Sequence, residues 1–87
     1  MGKSVAIYGA ELIASEFFTP EREYEKPRAR VRFRSPDGKE INATTQRYSD
    51  CGFKVFEWRK LKIADVYMHY TPIFKKAIVD YIVFREG

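Results

Sequence analysis

Apolar and polar residues alternate with period two over several short stretches, the signature of half-buried β-strands. The clearest is Arg28 to Arg34, Arg-Ala-Arg-Val-Arg-Phe-Arg, where Ala29, Val31 and Phe33 face one way and four arginines the other. Ser35-Pro36-Asp37-Gly38 follows as a hairpin turn, with Pro and Asp opening it and Gly in the left-handed position. Lys39 to Tyr48 returns as the next strand, with Ile41 and Ala43 on one face and Asn42, Thr44, Gln46 and Tyr48 on the other. Upstream, Lys3 to Phe18 reads as one long strand in which Gly9 breaks the alternation and marks a bulge. Downstream, Ile63 to Tyr70 alternates Ala64, Val66, Met68 and Tyr70 against Ile63, Asp65, Tyr67 and His69. Ala77 to Arg85 is apolar on both faces except for Asp80, as expected of a strand inside a closed sheet.

The remaining segments join these strands. Residues 19–27 have a Pro near each end and five charges between, an exposed loop. Ser49-Asp50-Cys51-Gly52 reads as a turn, and residues 71–75 as a connection. Phe53 to Lys62 fits neither periodicity well, and a short helix or an irregular segment is the reading. The order strand–strand–strand–(helix)–strand–strand is that of a mainly β, five-stranded OB-like Greek-key barrel occupying residues 1–87 as one domain. An SH3-like barrel has the same strand count and is the rival.

At 87 residues the chain is a single small domain, and its 45% hydrophobic content is that of a folded protein. No apolar run is long enough to span a bilayer, and no signal-peptide pattern opens the chain. A single cysteine excludes an intramolecular disulfide framework and a cysteine-rich zinc site, so a cytoplasmic setting is expected. Charge changes the picture more. The net charge of +4 is unevenly placed: residues 26–62 hold eleven Lys/Arg against four carboxylates, whereas residues 1–25 are net acidic. A polyanion would meet the middle third first.

The arginine strand is the strongest chemical signal. Arg28, Arg30, Arg32 and Arg34 stand in a row about 6.6–6.8 Å apart on one face. Such a row fits the phosphates of a nucleic-acid strand. The plainer reading is a solvated face, with Glu40 neutralising part of it. The second signal is aromatics among basic residues: Tyr48, Lys54, Trp58, Arg59 and Tyr67, the composition of a single-strand binder that stacks bases. Phe53 and Phe56 are assigned to the barrel bottom. Trp58 is divided equally between core and stacking platform. Asp65 and Asp80 could form the carboxylate pair of a metal-dependent nuclease, but pairing with nearby cations is the stronger reading. Cys51 has no activating neighbour and reads as inert. No P-loop, dinucleotide fingerprint or catalytic constellation is present, and no cofactor or metal is expected.

In layout the chain resembles the small OB-fold single-stranded DNA-binding proteins, including those of phages and mobile elements. The resemblance lies in the bulged strand Val5–Phe18, the hairpin Arg28–Tyr48 and the closing pair Ile63–Tyr70 and Ala77–Phe84. It implies non-catalytic binding of single-stranded DNA in replication or recombination. The ligand would lie on the face of strands two and three, flanked by residues 19–27 and 71–76, with Arg30, Arg32, Arg34, Tyr48 and Tyr67 in contact. The acidic C-terminal tail of many bacterial members has no counterpart in Phe84-Arg85-Glu86-Gly87. Oligomerisation through the Ala77–Phe84 edge is a further expectation. The alternative is a protein-interaction module or inhibitor from a mobile element, using the aromatics around Phe53–Trp58 as hot spots.

Overall fold

The computed structural model describes residues 3–18, 28–46 and 50–85. The elements are β1 (Lys3–Phe18), β2 (Arg28–Arg34), β3 (Glu40–Thr45), α1 (Cys51–Leu61), β4 (Ile63–Tyr70) and β5 (Ala77–Phe84). The strands close in the order β1-β2-β3-β5-β4 and back to β1. The protein is thus mainly β, a closed five-stranded OB-like barrel with one short helix. No helix among the described residues is long and apolar enough to cross a membrane.

β1 serves two neighbours, its first half pairing with β4 and its second half with β2. The change of partner needs bends. The register against β4 shifts between Ile7 and Ala10, where Gly9 takes φ 69°. That bulge frees the Gly9 amide, which donates to Asp65 Oδ1 at 2.9 Å. A second shift, against β2, falls between Leu12 and Ala14.

The β2–β3 hairpin follows its sequence closely. Ala29, Val31 and Phe33 are buried and the four arginines are exposed. The Ser35 amide donates to the Lys39 carbonyl and the Gly38 amide to the Ser35 carbonyl, both at 2.9 Å, with Gly38 at φ 91°. The Ser35 hydroxyl and then the Lys39 amide donate to the Asp37 carboxylate, which holds its pKa below the ordinary value. β3 ends at Thr45, earlier than its alternation predicts, and Tyr48 and the loop 19–27 lie outside the described residues. Thr45 is buried, and its Oγ1 accepts from the Ala29 amide at 2.8 Å.

The expected turn over residues 49–52 is corrected at Cys51 and Gly52, which form the first turn of α1. Cys51, Val55 and Trp58 recur at i, i+4 and i+7 and make the buried stripe. Trp58 is fully buried, with its ring centroid 5.4 Å from that of Phe33. Its Nε1 donates to the carbonyls of Ala10 at 3.3 Å and Lys62 at 3.2 Å, tying the helix to bulged β1. Trp58 is therefore the plug of the barrel and has no face free for a base, which resolves its equal division between core and stacking platform to the core and corrects its place among the candidate binding residues. The assignment of Phe53 and Phe56 to the core is corrected in the opposite sense: they are 50% and 42% exposed. Their positions fall on the solvent side of the stripe.

β5 pairs with β4 along its length and with β3 in parallel only at Ile78 and Val79, and α1 packs beside it. Opposite Tyr67 and Met68 the β5 partners are Tyr81 and Val79, so Asp80 is bulged out of the ladder.

Candidate nucleic-acid interface

The pairing of β3 with β5 covers only Thr44 and Thr45. Over Glu40–Ala43, β3 has β2 on one side and no strand among the described residues on the other. The β4–β5 connection, residues 71–76, stands across that opening, and a groove of about 580 Å³ lies between them. Arg30, Lys39, Lys75 and Lys76 line it against the single carboxylate of Glu40. Asn42 and Thr44 supply uncharged hydrogen-bonding groups, and Tyr70, Ala77 and Ile78 an apolar floor. No ion pair among the described residues engages Lys39, Lys75 or Lys76.

A smaller hollow of about 300 Å³ crosses β1, β2 and β3, lined by Glu16, Arg30, Arg32 and Asn42 among others. Arg30 and Asn42 line both depressions, so the hollow on the arginine strand adjoins the groove at the lysine-bearing connection. There, Arg30 pairs with Glu16 at 3.7 Å and Arg32 with Glu40 at 3.4 Å. Both pairs are well exposed, and such pairs contribute about 0–1 kcal/mol each, little enough for a phosphate to displace the carboxylate. The guanidinium groups of Arg28 and Arg30 lie 5.7 and 5.3 Å from the Phe18 ring centroid.

The residues singled out in the sequence fall into three groups. Arg30 and Arg32 line the hollow, and Arg28 and Arg34 continue their row on the outer face of β2. Lys54 and Arg59 sit at the end of the barrel on α1, their charges 6.0 and 5.7 Å from the rings of Phe84 and Phe17, and line neither depression. Tyr67 is on β4, separated from β2 by β1 on one side and by β5 and β3 on the other. It stacks on Tyr81 with centroids 4.4 Å apart, and Tyr8 meets it edge-on at 6.1 Å. Burial first, then the neighbouring Tyr8, raises its pKa above the ordinary phenol value.

Two carboxylates on that second wall are already engaged. Asp65 accepts from Gly9 and pairs with Arg85 at 2.8 Å. Asp80 meets His69 Nδ1 at 2.8 Å and accepts from Gln46 Nε2. The Tyr67–Tyr81 pair lies between them on the ladder, so they do not face one metal. No cluster of three His, Cys, Asp or Glu placed to hold a metal exists among the described residues. Cys51 is buried at the start of α1; burial first, then the charge of Asp80, pushes its thiol pKa up to about 12.

Sequence reasoning missed Lys39, Asn42, Thr44, Lys75 and Lys76 as a lining set. The signal available was Phe74-Lys75-Lys76, an aromatic beside two lysines in a connection already expected to flank the ligand. Comparison of the chain with protein-family models, curated proteins and solved structures finds no match.

Proposed function

We propose that the protein binds single-stranded nucleic acid, DNA in preference to RNA, with little sequence selectivity and without catalysing a reaction. The observation that carries this reading is the groove between β3 and residues 71–76, with four cations against one carboxylate, adjoining the hollow on the arginine strand. Phosphates would follow Arg32, Arg30, Lys39, Lys75 and Lys76. Asn42 and Thr44 would meet sugars or base edges. Phe18 and Phe74, beside Arg30 and Lys76 respectively, offer ring faces on which bases of any identity could stack. A duplex hides the faces of its bases and gains nothing from those rings. The layout resemblance to small OB-fold single-stranded DNA-binding proteins favours DNA over RNA.

Fluorescence anisotropy of labelled single-stranded DNA, duplex DNA and single-stranded RNA at two salt concentrations tests the reading. The expected result is preference for single-stranded DNA. Affinity should fall by about 0.7 log units per log unit of salt for each phosphate contact. Equal affinity for the duplex, or no binding at low salt, would sink it.

A second reading rests on a different observation. Phe53, Phe56 and Leu61 are exposed on α1, and Phe56 is stacked on Phe17 with centroids 3.9 Å apart. This is a surface for a protein partner. Capture of that partner should survive nuclease treatment and be lost in Phe53→Ser.

A further inference from the structure

The β4–β5 connection is a closed loop with an apolar tip. The Thr71 amide donates to the Lys76 carbonyl at 2.9 Å and the Lys75 amide to the Thr71 carbonyl at 3.0 Å. The Lys76 amide donates to Thr71 Oγ1, again at 2.9 Å. Three hydrogen bonds within six residues fix the loop, and Lys75 takes φ 50° to complete the turn. At its tip Ile73 is 84% and Phe74 77% exposed, the most exposed large hydrophobics described. Neither belongs to the core.

Surface loops are ordinarily polar at the tip, and two adjacent large apolar side chains held out on a braced loop call for something that buries them. Their neighbours narrow what that is. Lys75 and Lys76 line the basic groove, and the Lys76 ammonium lies 5.8 Å from the Phe74 ring centroid. The tip is therefore the rim of the groove, and a strand lying there brings its bases to it. Paired apolar side chains on a rigid support are what proteins insert between base steps to unstack them.

We propose that Ile73 and Phe74 form a wedge that enters the base stack where a bound single strand leaves a duplex, so that the protein separates strands at single-strand/duplex junctions without a nucleotide cofactor. The proposal rests on the groove holding a single strand. It goes beyond that reading because preferential binding to a single strand opens a fork only through strand already released, whereas a wedge stabilises the open junction pair itself.

The test uses a DNA hairpin with a single-stranded tail and a fluorophore–quencher pair on opposite strands at the fork. Occupancy is measured separately by anisotropy of the unstructured tail alone. The variants are the wild type and Ile73→Ser/Phe74→Ser, which changes only exposed side chains. At matched occupancy the wild type should raise the open fraction of the fork pair about fivefold over the variant, the low end of what base–aromatic stacking supplies. Equal opening by both proteins overturns the wedge and leaves single-strand binding standing. Failure of the wild type to bind the unstructured tail overturns the groove reading and the wedge together. Equal fork opening, with binding to phosphatidylserine vesicles lost only in the variant, overturns the wedge and moves the tip to a membrane surface.

Discussion

Two walls of the same barrel carry polar and aromatic residues in similar abundance, yet they differ in what is left unsatisfied. On the β1–β4–β5 wall the groups answer one another: Asp65 with Gly9 and Arg85, Asp80 with His69 and Gln46, Tyr67 with Tyr8 and Tyr81. On the wall built by β2, β3 and residues 71–76, among the described residues three groove lysines have no ion pair and β3 has no second partner strand over Glu40–Ala43. The lesson is that residue type alone does not mark a site. Tyr67 and Lys75 are both the kind of residue a nucleic-acid binder uses, but only Lys75 has its interaction outstanding.

The largest effect should come from reversing the lysines. Lys75→Glu/Lys76→Glu is expected to weaken single-strand binding at low salt by about a hundredfold or more, as charge-assisted contacts of about 1.5–3 kcal/mol each are lost. Its melting temperature should stay near that of the wild type. Tyr67→Ala should do the reverse, lowering the melting temperature by several degrees and leaving affinity unchanged. A binding loss in Tyr67→Ala would mean the site spans both walls. Arg30→Ala removes the residue common to groove and hollow. About a tenfold loss and a salt slope shallower by about 0.7 are expected in the same anisotropy titration. Arg32→Ala should flatten the slope less, because Arg32 lines only the hollow whereas Arg30 lines the hollow and the groove.

Smaller effects sharpen the picture. The Cys51 pKa is raised on folding, so its contribution is present at neutral pH and lost as pH rises from the unfolded thiol value toward about 12. Urea midpoints should show about 1 kcal/mol of stability lost between pH 9 and 10, and Cys51→Ala should remove that share. The smallest expected change is in Trp58 emission. The ring is sealed beneath the barrel, so saturating oligonucleotide should leave its emission wavelength in place. Strong quenching would put bases where α1 now lies.

Much of this architecture was legible before any coordinates. Strict alternation placed Ala29, Val31 and Phe33 inside and the arginines outside because a strand with one buried face permits no other register. Gly9 announced its bulge for the same reason. The helix was obscured because its buried stripe begins at Cys51 and Gly52, residues that read as a turn beside Asp50. Starting the periodicity at Phe53 put the aromatics where the core should be and hid Val55 and Trp58. Of the site, the arginine row was visible because it is contiguous in sequence. The groove was not, since it arises where β3 and β5 stop pairing, and a parallel contact between distant strands leaves no local pattern. Asp65 and Asp80 were expected to pair with nearby cations, and Asp65 does so with Arg85, but the Gly9 amide 56 residues before it and the His69 partner of Asp80 left no local pattern.

The divided allegiance of β1 has a kinetic consequence. Its second half can zip onto β2 across only nine intervening residues, but Lys3 must wait for Tyr70 before the barrel can shut. Ring closure over so much chain is entropically slow, and topologies dominated by distant contacts fold in about milliseconds to seconds. A nascent chain leaving the ribosome would hold its first strand half-dressed until β4 emerged. Burial of Trp58 against Ala10 and Lys62 gives a single optical clock for the moment the ring shuts.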